Sequence, residues 1–114
     1  MNILVTGGAG FIGSHIVNTY IKAGHRVTVI DNLSSGKLRF LNPEVNFYEV
    51  DILDTEVSEI IKSEKIETIN HHAAQISVSE SVADPLFDVN SNIIGTLQLL
   101  QSAVSFGVNK FILS

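Results

Sequence analysis

The chain has 114 residues, of which 45% are hydrophobic and 17% charged, and its formal net charge is −5. This balance is typical of a globular domain rather than of a disordered segment. No nucleic-acid partner is expected, because the acidic chain lacks the basic surface that binds phosphate backbones. The absence of cysteine excludes disulfides and thiolate metal sites and is compatible with a cytoplasmic location. No membrane partner is expected either, since no apolar run reaches the ~18 residues that a membrane helix needs.

The first predicted elements are a buried strand and a helix joined by glycines. Ile3, Leu4 and Val5 form a short apolar run, and from Phe11 onward apolar residues recur at helical spacing. Residues 7–13 between them contain the G-x-G-x-x-G pattern of dinucleotide-binding βαβ units. Glycines in such a turn allow a tight bend, close approach of a pyrophosphate, and close packing of helix on strand. The N–H groups at the start of the helix then face the phosphates.

An acidic residue follows the second predicted strand. That strand covers Arg26–Ile30 and ends at Asp31, which lies 31 − 13 = 18 positions after Gly13. The spacing is close to the ~20 residues expected for the carboxylate that binds the adenosine ribose. Such a carboxylate predicts NAD rather than NADP, because it repels a 2′-phosphate. A P-loop is excluded, since Ser14 rather than lysine follows the last glycine.

The rest of the chain alternates between predicted strands and helices. These are strands at residues 46–50, 66–70 and 110–113, a helix capped by Asp54 or Thr55 and closed by residues 64–65, and a long helix from Pro85 to just before Gly107. The alternation predicts right-handed crossovers and a doubly wound parallel α/β sheet of about five strands, with helices on both faces. The apolar stripe of the long helix is expected to be core that packs on the sheet.

Four segments follow the predicted strand ends: residues 7–13, 31–36, 51–52 and 72–76. In an open parallel sheet the ligand lies beyond the carboxyl ends of the strands, so these segments are predicted to form one site.

Two other interpretations are weaker. His71 and His72 could suggest a metal, but neighbouring residues of a strand face opposite sides, so no metal site is predicted. The serines of residues 77–81 lack the G-x-S-x-G pattern of a hydrolase nucleophile and are better explained as a loop beside the cofactor.

The combined motifs resemble the NAD-dependent sugar-nucleotide epimerase/dehydratase family, a group of extended short-chain dehydrogenase/reductases. The residues that carry the resemblance are Thr6–Gly13, Asp31–Gly36, Asp51 with Ile52, His72–Gln75, and Asn92–Thr96. Within the family, the Asp31–Gly36 turn is most similar to that of the members that epimerise UDP-glucose.

The resemblance implies NAD as the cofactor and a set of residues that bind it. These are Gly7, Gly10, Phe11, Ile12, Gly13, Asp31, Asn32, Leu33, Ser34, Ser35, Gly36, Asp51, Ile52, His72, Ala73, Ala74, Gln75, Ile76 and Asn92. By the same resemblance, Phe11 and Ile12 offer N–H groups to the pyrophosphate, Asp31 holds the ribose and residues 32–36 line the adenosine side. Asp51 and Ile52 contact the adenine, residues 72–76 run beneath the cofactor, and Asn92 lies near the nicotinamide half.

The catalytic residues of the family are not found in this chain. Family members use a Ser or Thr after the fifth strand and a Tyr-x-x-x-Lys pair, but Gly24 and Ile52 stand where a lysine would follow Tyr20 and Tyr48. Ser114 matches the family's first serine after that strand, with the catalytic position expected about two residues later. Residues 1–114 are therefore expected to be one NAD(P)-binding domain, the N-terminal part of an enzyme whose substrate-binding half is absent.

The resemblance implies that the parent enzyme is an epimerase or dehydratase that acts on a UDP- or dTDP-sugar by transient hydride transfer to NAD. It also implies a homodimer, whereas the 114 residues alone are expected to be inactive. A non-catalytic nucleotide-binding module, or a truncated product without activity, remains the alternative. A methyltransferase is a weaker one, because its glycine turn usually follows an acidic strand end where Thr6 stands here.

Overall fold

The structure, a computed structural model, describes residues 1–34, 36–72 and 85–113, and for residues 85–91 it describes the backbone only. Its elements in chain order are β1 (Asn2–Thr6), α1 (Phe11–Lys22), β2 (Arg26–Asp31), a 3-10 turn (Leu38–Phe40), β3 (Asn46–Glu49), α2 (Glu56–Ser63), β4 (Thr68–His71), α3 (Pro85–Ser105) and β5 (Lys110–Leu113).

The described strands form one parallel sheet with the order β3-β2-β1-β4-β5. The first strand lies at the centre, where Val5 is in register with Val29 of β2 and with Asn70 of β4. The chain moves outward from β1 in one direction and then returns to build the other side. This change of direction is the switch point at which open α/β sheets bind ligands. The predicted doubly wound fold is confirmed.

The sheet separates two hydrophobic cores. The α1 face contains Ile3, Val5, Val17, Val27 and Val29. The opposite face, covered by α2 and α3, contains Leu4, Ile30, Val57, Ile60, Ile61, Ile66, Ile69, Leu99 and Ala103. Because the central strands are buried on both faces, their sequences read as continuous apolar runs.

The long helix α3 differs from its prediction. Only Leu99 and Ala103 of its described side chains join the core, four residues apart and therefore on one side of the helix. A second stripe of apolar side chains is exposed, and it consists of Ile93, Ile94, Leu97, Leu100 and Val104. The expectation that the whole apolar pattern packs on the sheet was wrong for this stripe. The apolar residues 86, 87 and 89 also belong to the pattern that was predicted to pack on the sheet, and their side chains lie outside the described part of the chain.

The ends of two elements also differ from their predictions. Thr55 occupies the N-cap of α2 but makes no capping hydrogen bond through its side chain. Asp54 instead accepts the backbone N–H of Asp51 at 3.0 Å, which closes the loop before the helix. Strand β4 begins at Thr68, because the backbone still turns at Lys65, where φ is +54°.

A polar cluster around Glu64 fastens the amino edge of the sheet. The Glu64 carboxylate accepts hydrogen bonds from Arg26 Nη2 at 3.0 Å, Asn46 Nδ2 at 3.2 Å and Tyr48 Oη at 2.8 Å. The hydrogen bond to Glu64 is the main cause that raises the pKa of Tyr48. Since all three donors come from β2 and β3, this single side chain joins two neighbouring strands to the end of α2.

Among the helices of the described ranges, none combines the length and the apolar character that crossing a membrane requires.

Candidate nucleotide-binding site

Three of the four predicted segments meet at the carboxyl edge of the sheet. The turn after β1 contacts the end of β2, where Ala9 N–H donates to Asp31 Oδ2 at 3.0 Å. The loop after β2 contacts the loop after β3, where Asn32 Nδ2 donates to Asp51 Oδ2 at 3.0 Å. The structure therefore brings residues 7–13, the described part of 31–36, and residues 51–52 together.

The glycine turn is shaped by its first and last members. Gly7 has φ +71°, a conformation that favours glycine, and its N–H donates to the carbonyl of Ile30 at 2.8 Å. A Cβ on Gly13 would overlap the carbonyl oxygen of Gly7 and lie 3.1 Å from Gly8 Cα. The first turn of α1 consequently packs directly on the strand end, which a side chain at position 13 would prevent.

The two middle glycines differ from each other. A Cβ on Gly8 would lie 2.7 Å from a methyl group of Val29, so Gly8 packs the turn onto the core. A Cβ on Gly10 would find, among the described atoms, only the carbonyl oxygen of Gly7 within 4 Å, at 3.3 Å. Its φ of −75° and ψ of 170° suit any residue. Gly10 therefore keeps open space rather than a fold contact.

Helix α1 begins without a side-chain cap. Gly10 occupies the N-cap, and among the described residues no side chain caps the helix. The N–H groups of Phe11 and Ile12 have no partner within the helix, because the first four donors of any α-helix lack one. Together with the helix dipole they form a site that attracts anions. The Phe11 ring is 68% exposed and packs edge-on against His15 at 4.9 Å between ring centres.

Asp31 connects the glycine turn with the loop that follows β2. Asp31 as a whole residue is 8% exposed. Oδ2 accepts the N–H of Ala9 at 3.0 Å, and Oδ1 accepts the N–H of Leu33 at 2.8 Å. The carbonyl of Ala9 in turn accepts the N–H of Lys37 at 3.0 Å. Each carboxylate oxygen still has capacity for a further hydrogen bond, since an ionised carboxylate offers about four acceptor positions.

The loop after β2 is held by its own side chains. Asn32 Oδ1 accepts the N–H of Ser34 at 3.0 Å. Leu33 has φ +61°, which is uncommon for a branched residue and costs on the order of 1 kcal/mol. Asp51 in the neighbouring loop accepts the N–H of Leu53 at 2.9 Å. The Asn32–Asp51 hydrogen bond therefore connects two loops that each have a fixed shape.

His71 lies beneath this edge and bridges three elements. Its Nδ1 lies 2.6 Å from Thr6 Oγ1 at the end of β1, and its Nε2 lies 3.1 Å from Thr96 Oγ1 on α3. The side chain is fully buried. Burial, reinforced by the neighbouring His72, lowers the pKa of His71 from 6.5 to about 4. His71 is consequently a neutral bridge at pH 7, with both ring nitrogens at hydrogen-bonding distance from hydroxyl groups.

His72 continues from the end of β4 into the predicted fourth segment. Its backbone N–H donates to Thr6 Oγ1 and to the Thr6 carbonyl, both at 3.0 Å. His72 is 5% exposed, and burial lowers the pKa of its ring. His72 is therefore the one member of residues 72–76 that the structure places at this edge of the sheet.

The remaining predicted residues have different outcomes. Asn92 lies half-buried on α3, one turn before Thr96. Ser35, Ala73, Ala74, Gln75 and Ile76 lie outside the described residues.

Sequence reasoning placed Ala9 within the predicted segment 7–13 but gave no role to Ala9, Thr6 or Thr96. Ala9 acts through its backbone N–H, which no side-chain pattern can reveal. Thr6 and Thr96 stood within motifs that carried the family resemblance, and a hydroxyl on each was the available signal.

A comparison with known protein families shows which family this chain belongs to. Residues 3–114 match the sequence profile of the NAD dependent epimerase/dehydratase family. The chain belongs to this family. The match covers both the glycine turn with Asp31 and the more distant helix α3, so the predicted resemblance is confirmed along the chain.

Relatives of this family member include proteins of known structure. The UDP-glucose 4-epimerase of Mycolicibacterium smegmatis is 43% identical over 117 residues, which cover 98% of this chain and 37% of the relative. The structure of UDP-glucose 4-epimerase from Thermotoga maritima with UDP-glucose has a TM-score of 0.93 and 52% identity, and the match covers 99% of this chain and 37% of that one. The structure of the Thermus thermophilus UDP-glucose 4-epimerase in complex with NAD has a TM-score of 0.90 and 44% identity, and the match covers 97% of this chain and 36% of that one. The chain thus spans little more than a third of the length of these relatives.

Proposed function

We propose that this chain is the NAD-binding part of an enzyme of the UDP-glucose 4-epimerase type. One observation carries the proposal: the uncapped N-terminus of α1 lies beside Asp31, and the 3.0 Å hydrogen bond from Ala9 N–H to Asp31 Oδ2 ties the two together. Helix N–H groups bind phosphate, and a carboxylate binds ribose hydroxyls. Their fixed proximity suits a ligand in which a pyrophosphate is joined to a ribose, as in NAD.

The residues of the site fit this cofactor. The N–H groups of Phe11 and Ile12 would hold the pyrophosphate, and the missing side chain of Gly10 leaves room for it. Asp31 would accept ribose hydroxyls with the lone pairs that Ala9 and Leu33 leave available. The glycine turn and the carboxylate are already positioned by bonds within the protein, so binding requires little ordering of these groups.

The charge of Asp31 supports NAD rather than NADP. A 2′-phosphate would stand next to the carboxylate of Asp31, a buried residue, where solvent screens the repulsion poorly. Lys37 and Arg39, both exposed in the following segment, are the cations that could offset this repulsion in part.

Asn32, Asp51 and Ile52 are proposed to line the adenosine side, because the Asn32–Asp51 hydrogen bond joins their loops beside Asp31. The placement of residues 73–76 under the cofactor, and of Asn92 near its nicotinamide half, stays a prediction.

The chemistry that NAD supplies when bound is to accept a hydride from a sugar carbon and return it with altered stereochemistry. The residues of this chain hold and orient the cofactor. A base must also remove the hydroxyl proton of the sugar. His71 does not suit that role, because both ring nitrogens lie at hydrogen-bonding distance from threonine hydroxyls, those of Thr6 and Thr96. Since the 114 residues contain no Tyr-x-x-x-Lys, we infer that the acid/base groups lie in other parts of the enzyme and that this chain alone is inactive.

The test compares this chain with the full-length protein that contains it. Both are assayed for NAD binding and for conversion of UDP-glucose, UDP-galactose and dTDP-glucose. NAD binding by both, with turnover of a UDP-sugar by the full-length protein only, is the expected result. Turnover of dTDP-glucose alone would favour a dehydratase, and NAD binding without any turnover would favour a non-catalytic nucleotide-binding module. Failure of both proteins to bind NAD would refute the proposal.

We also propose that the full-length protein is a homodimer that pairs through α3. Ile93, Leu97, Leu100 and Val104 are exposed at intervals of four, three and four residues, which is the spacing of a helix–helix seam. Exchanging Leu97, 60% exposed, for glutamine should shift the full-length protein from dimer to monomer in light scattering. A monomeric wild-type protein would mean that another segment of its own chain covers this stripe. A cytoplasmic location stays a prediction.

A further inference from the structure

Gly95 of α3 lies directly against the loop that follows β3. Gly95 is buried. Glycine inside a helix lowers stability by roughly 0.5–1 kcal/mol relative to alanine, so its presence here needs a structural reason. A Cβ at this position would overlap Ile52 Cδ1, lie 2.9 Å from Ile52 Cγ1, and lie 3.6 Å from Leu53 Cδ2. The Ile52 side chain therefore occupies the space that any other residue at position 95 would need.

The helix has little freedom to move away from this contact. The next residue, Thr96, is bridged through His71 to Thr6, which directly precedes the glycine turn. Leu99, one turn further along, is 1% exposed in the core. A side chain added at position 95 would consequently displace Ile52 rather than the helix.

Ile52 in turn follows a residue that is tied to the candidate site. Asp51 Oδ2 accepts a hydrogen bond from Asn32 Nδ2 at 3.0 Å, and Asp51 Oδ1 accepts one from the N–H of Leu53 at 2.9 Å. These hydrogen bonds restrain the backbone on both sides of Ile52. With the backbone fixed, the Ile52 side chain can relieve an overlap only by rotating. The position of the Ile52 side chain is thus set by α3 on one side and by its own loop on the other.

We propose that Gly95 is a positioning residue for the adenosine side of the site. Its missing side chain lets Ile52 lie flat against α3, and any larger residue turns Ile52 into the space beside Asp51. This inference rests on the proposed NAD-binding function, and it assigns to the glycine of the Asn92–Thr96 motif a role that acts through Ile52.

The experiment measures NAD and ADP affinity of the full-length protein by calorimetry, with thermal unfolding as a second readout. Gly95→Ala should weaken both ligands by the same factor, roughly tenfold, because both contain the adenosine half. The unfolding temperature should not fall in parallel, since alanine favours the helix. Gln101→Ala, an exposed change in the same helix, should alter neither affinity.

A second substitution tests the steric route. Ile52→Val removes Cδ1, the atom nearest to the added Cβ, so it should restore most of the affinity in the Gly95→Ala background. Unchanged affinity in Gly95→Ala, or a loss that Ile52→Val does not repair, would overturn the inference. If Gly95→Ala unfolds the protein, Ile52→Val is compared with the double variant: similar affinities support the inference, and a much weaker double variant overturns it.

Failure of the proposed function gives a different result. In that case wild-type protein binds neither NAD nor ADP, and the inference falls with it. When the wild type binds both ligands, the variants decide the inference alone.

Discussion

Substitutions at Gly10 and Gly13 should separate ligand binding from folding within one turn. A Cβ at position 10 meets only the Gly7 carbonyl oxygen among the described atoms, at 3.3 Å, and the backbone there suits any residue. Gly10→Val should therefore change the free energy of unfolding by less than about 1 kcal/mol. At position 13 the Cβ overlaps that same oxygen and lies 3.1 Å from two further backbone atoms. Gly13→Ala should then cost about 1–3 kcal/mol.

The effect on binding should be the reverse for Gly10→Val. The valine side chain would occupy the space through which a pyrophosphate reaches the N–H groups of Phe11 and Ile12. A hydrogen bond to a charged group contributes about 1.5–3 kcal/mol. Loss of both bonds amounts to about 3–6 kcal/mol, which corresponds to a reduction in NAD affinity of at least roughly a hundredfold.

The assay combines NAD titration by calorimetry with thermal unfolding followed by circular dichroism. For a domain of this size, each 1 kcal/mol shifts Tm by roughly 4–8 °C. Gly10→Val should keep the wild-type Tm within a few degrees and lose NAD binding, whereas Gly13→Ala should lower Tm clearly. Wild-type affinity in folded Gly10→Val would show that the turn is only structural. A loss of Tm as large as that of Gly13→Ala would refute the claim that position 10 is open.

Three further predictions concern charge and pH. Asp31→Ser should narrow the preference for NAD over NADP, because it removes the carboxylate beside the ribose. The affinities of wild type and variant for both cofactors test this prediction. Tighter binding of NADP than of NAD by the wild type would contradict it. Glu64→Ala should lower the free energy of unfolding by about 1–3 kcal/mol, since three donors lose their acceptor. Arg26→Ala, whose side chain is 61% exposed, should cost under about 1 kcal/mol in the same urea titration, and equal losses would argue against this account. The folded pKa of His71, about 4, lies below the ordinary 6.5, so the unfolded chain takes up the proton first as pH falls. The contribution of His71 to the free energy of unfolding is therefore fully present above pH 6.5. It falls by about 3 kcal/mol as the pH drops from 6.5 to 4. His71→Gln should flatten that part of the stability–pH profile, and an unchanged slope would place the titration elsewhere.

The local parts of this fold could be predicted from the sequence because they depend on short-range patterns. The strand, glycine turn and helix of residues 2–22 each follow from neighbours within a few positions. The spacing to Asp31 also reports local geometry, since it spans one helix and one strand. The contacts behind this turn still required the structure: Gly8 packs on Val29, whereas a side chain at Gly10 would meet almost no described atom.

The exposed stripe of α3 shows where such reasoning fails. Periodicity indicates that a helix buries apolar residues, but not which partner covers each side. Leu99 and Val104 read alike in the sequence, yet one is 1% and the other 83% exposed. The hydrogen bond between Ala9 and Asp31 could not be predicted from the sequence either, because its donor is a backbone N–H that the turn positions. Long-range contacts of this kind require the three-dimensional arrangement of the strands.

The central position of β1 has a consequence for how the chain is made. Strand β1 leaves the ribosome before β4 and must wait for this partner, since Thr6 meets His71 only across 65 positions. At about 5–20 residues per second, this interval lasts roughly 3–13 s. During that time β1 can pair only with β2, and its other edge exposes the backbone of Ile3, Leu4 and Val5. A nascent chain stalled before residue 68 should therefore bind holdase chaperones, and release them once β4 has emerged.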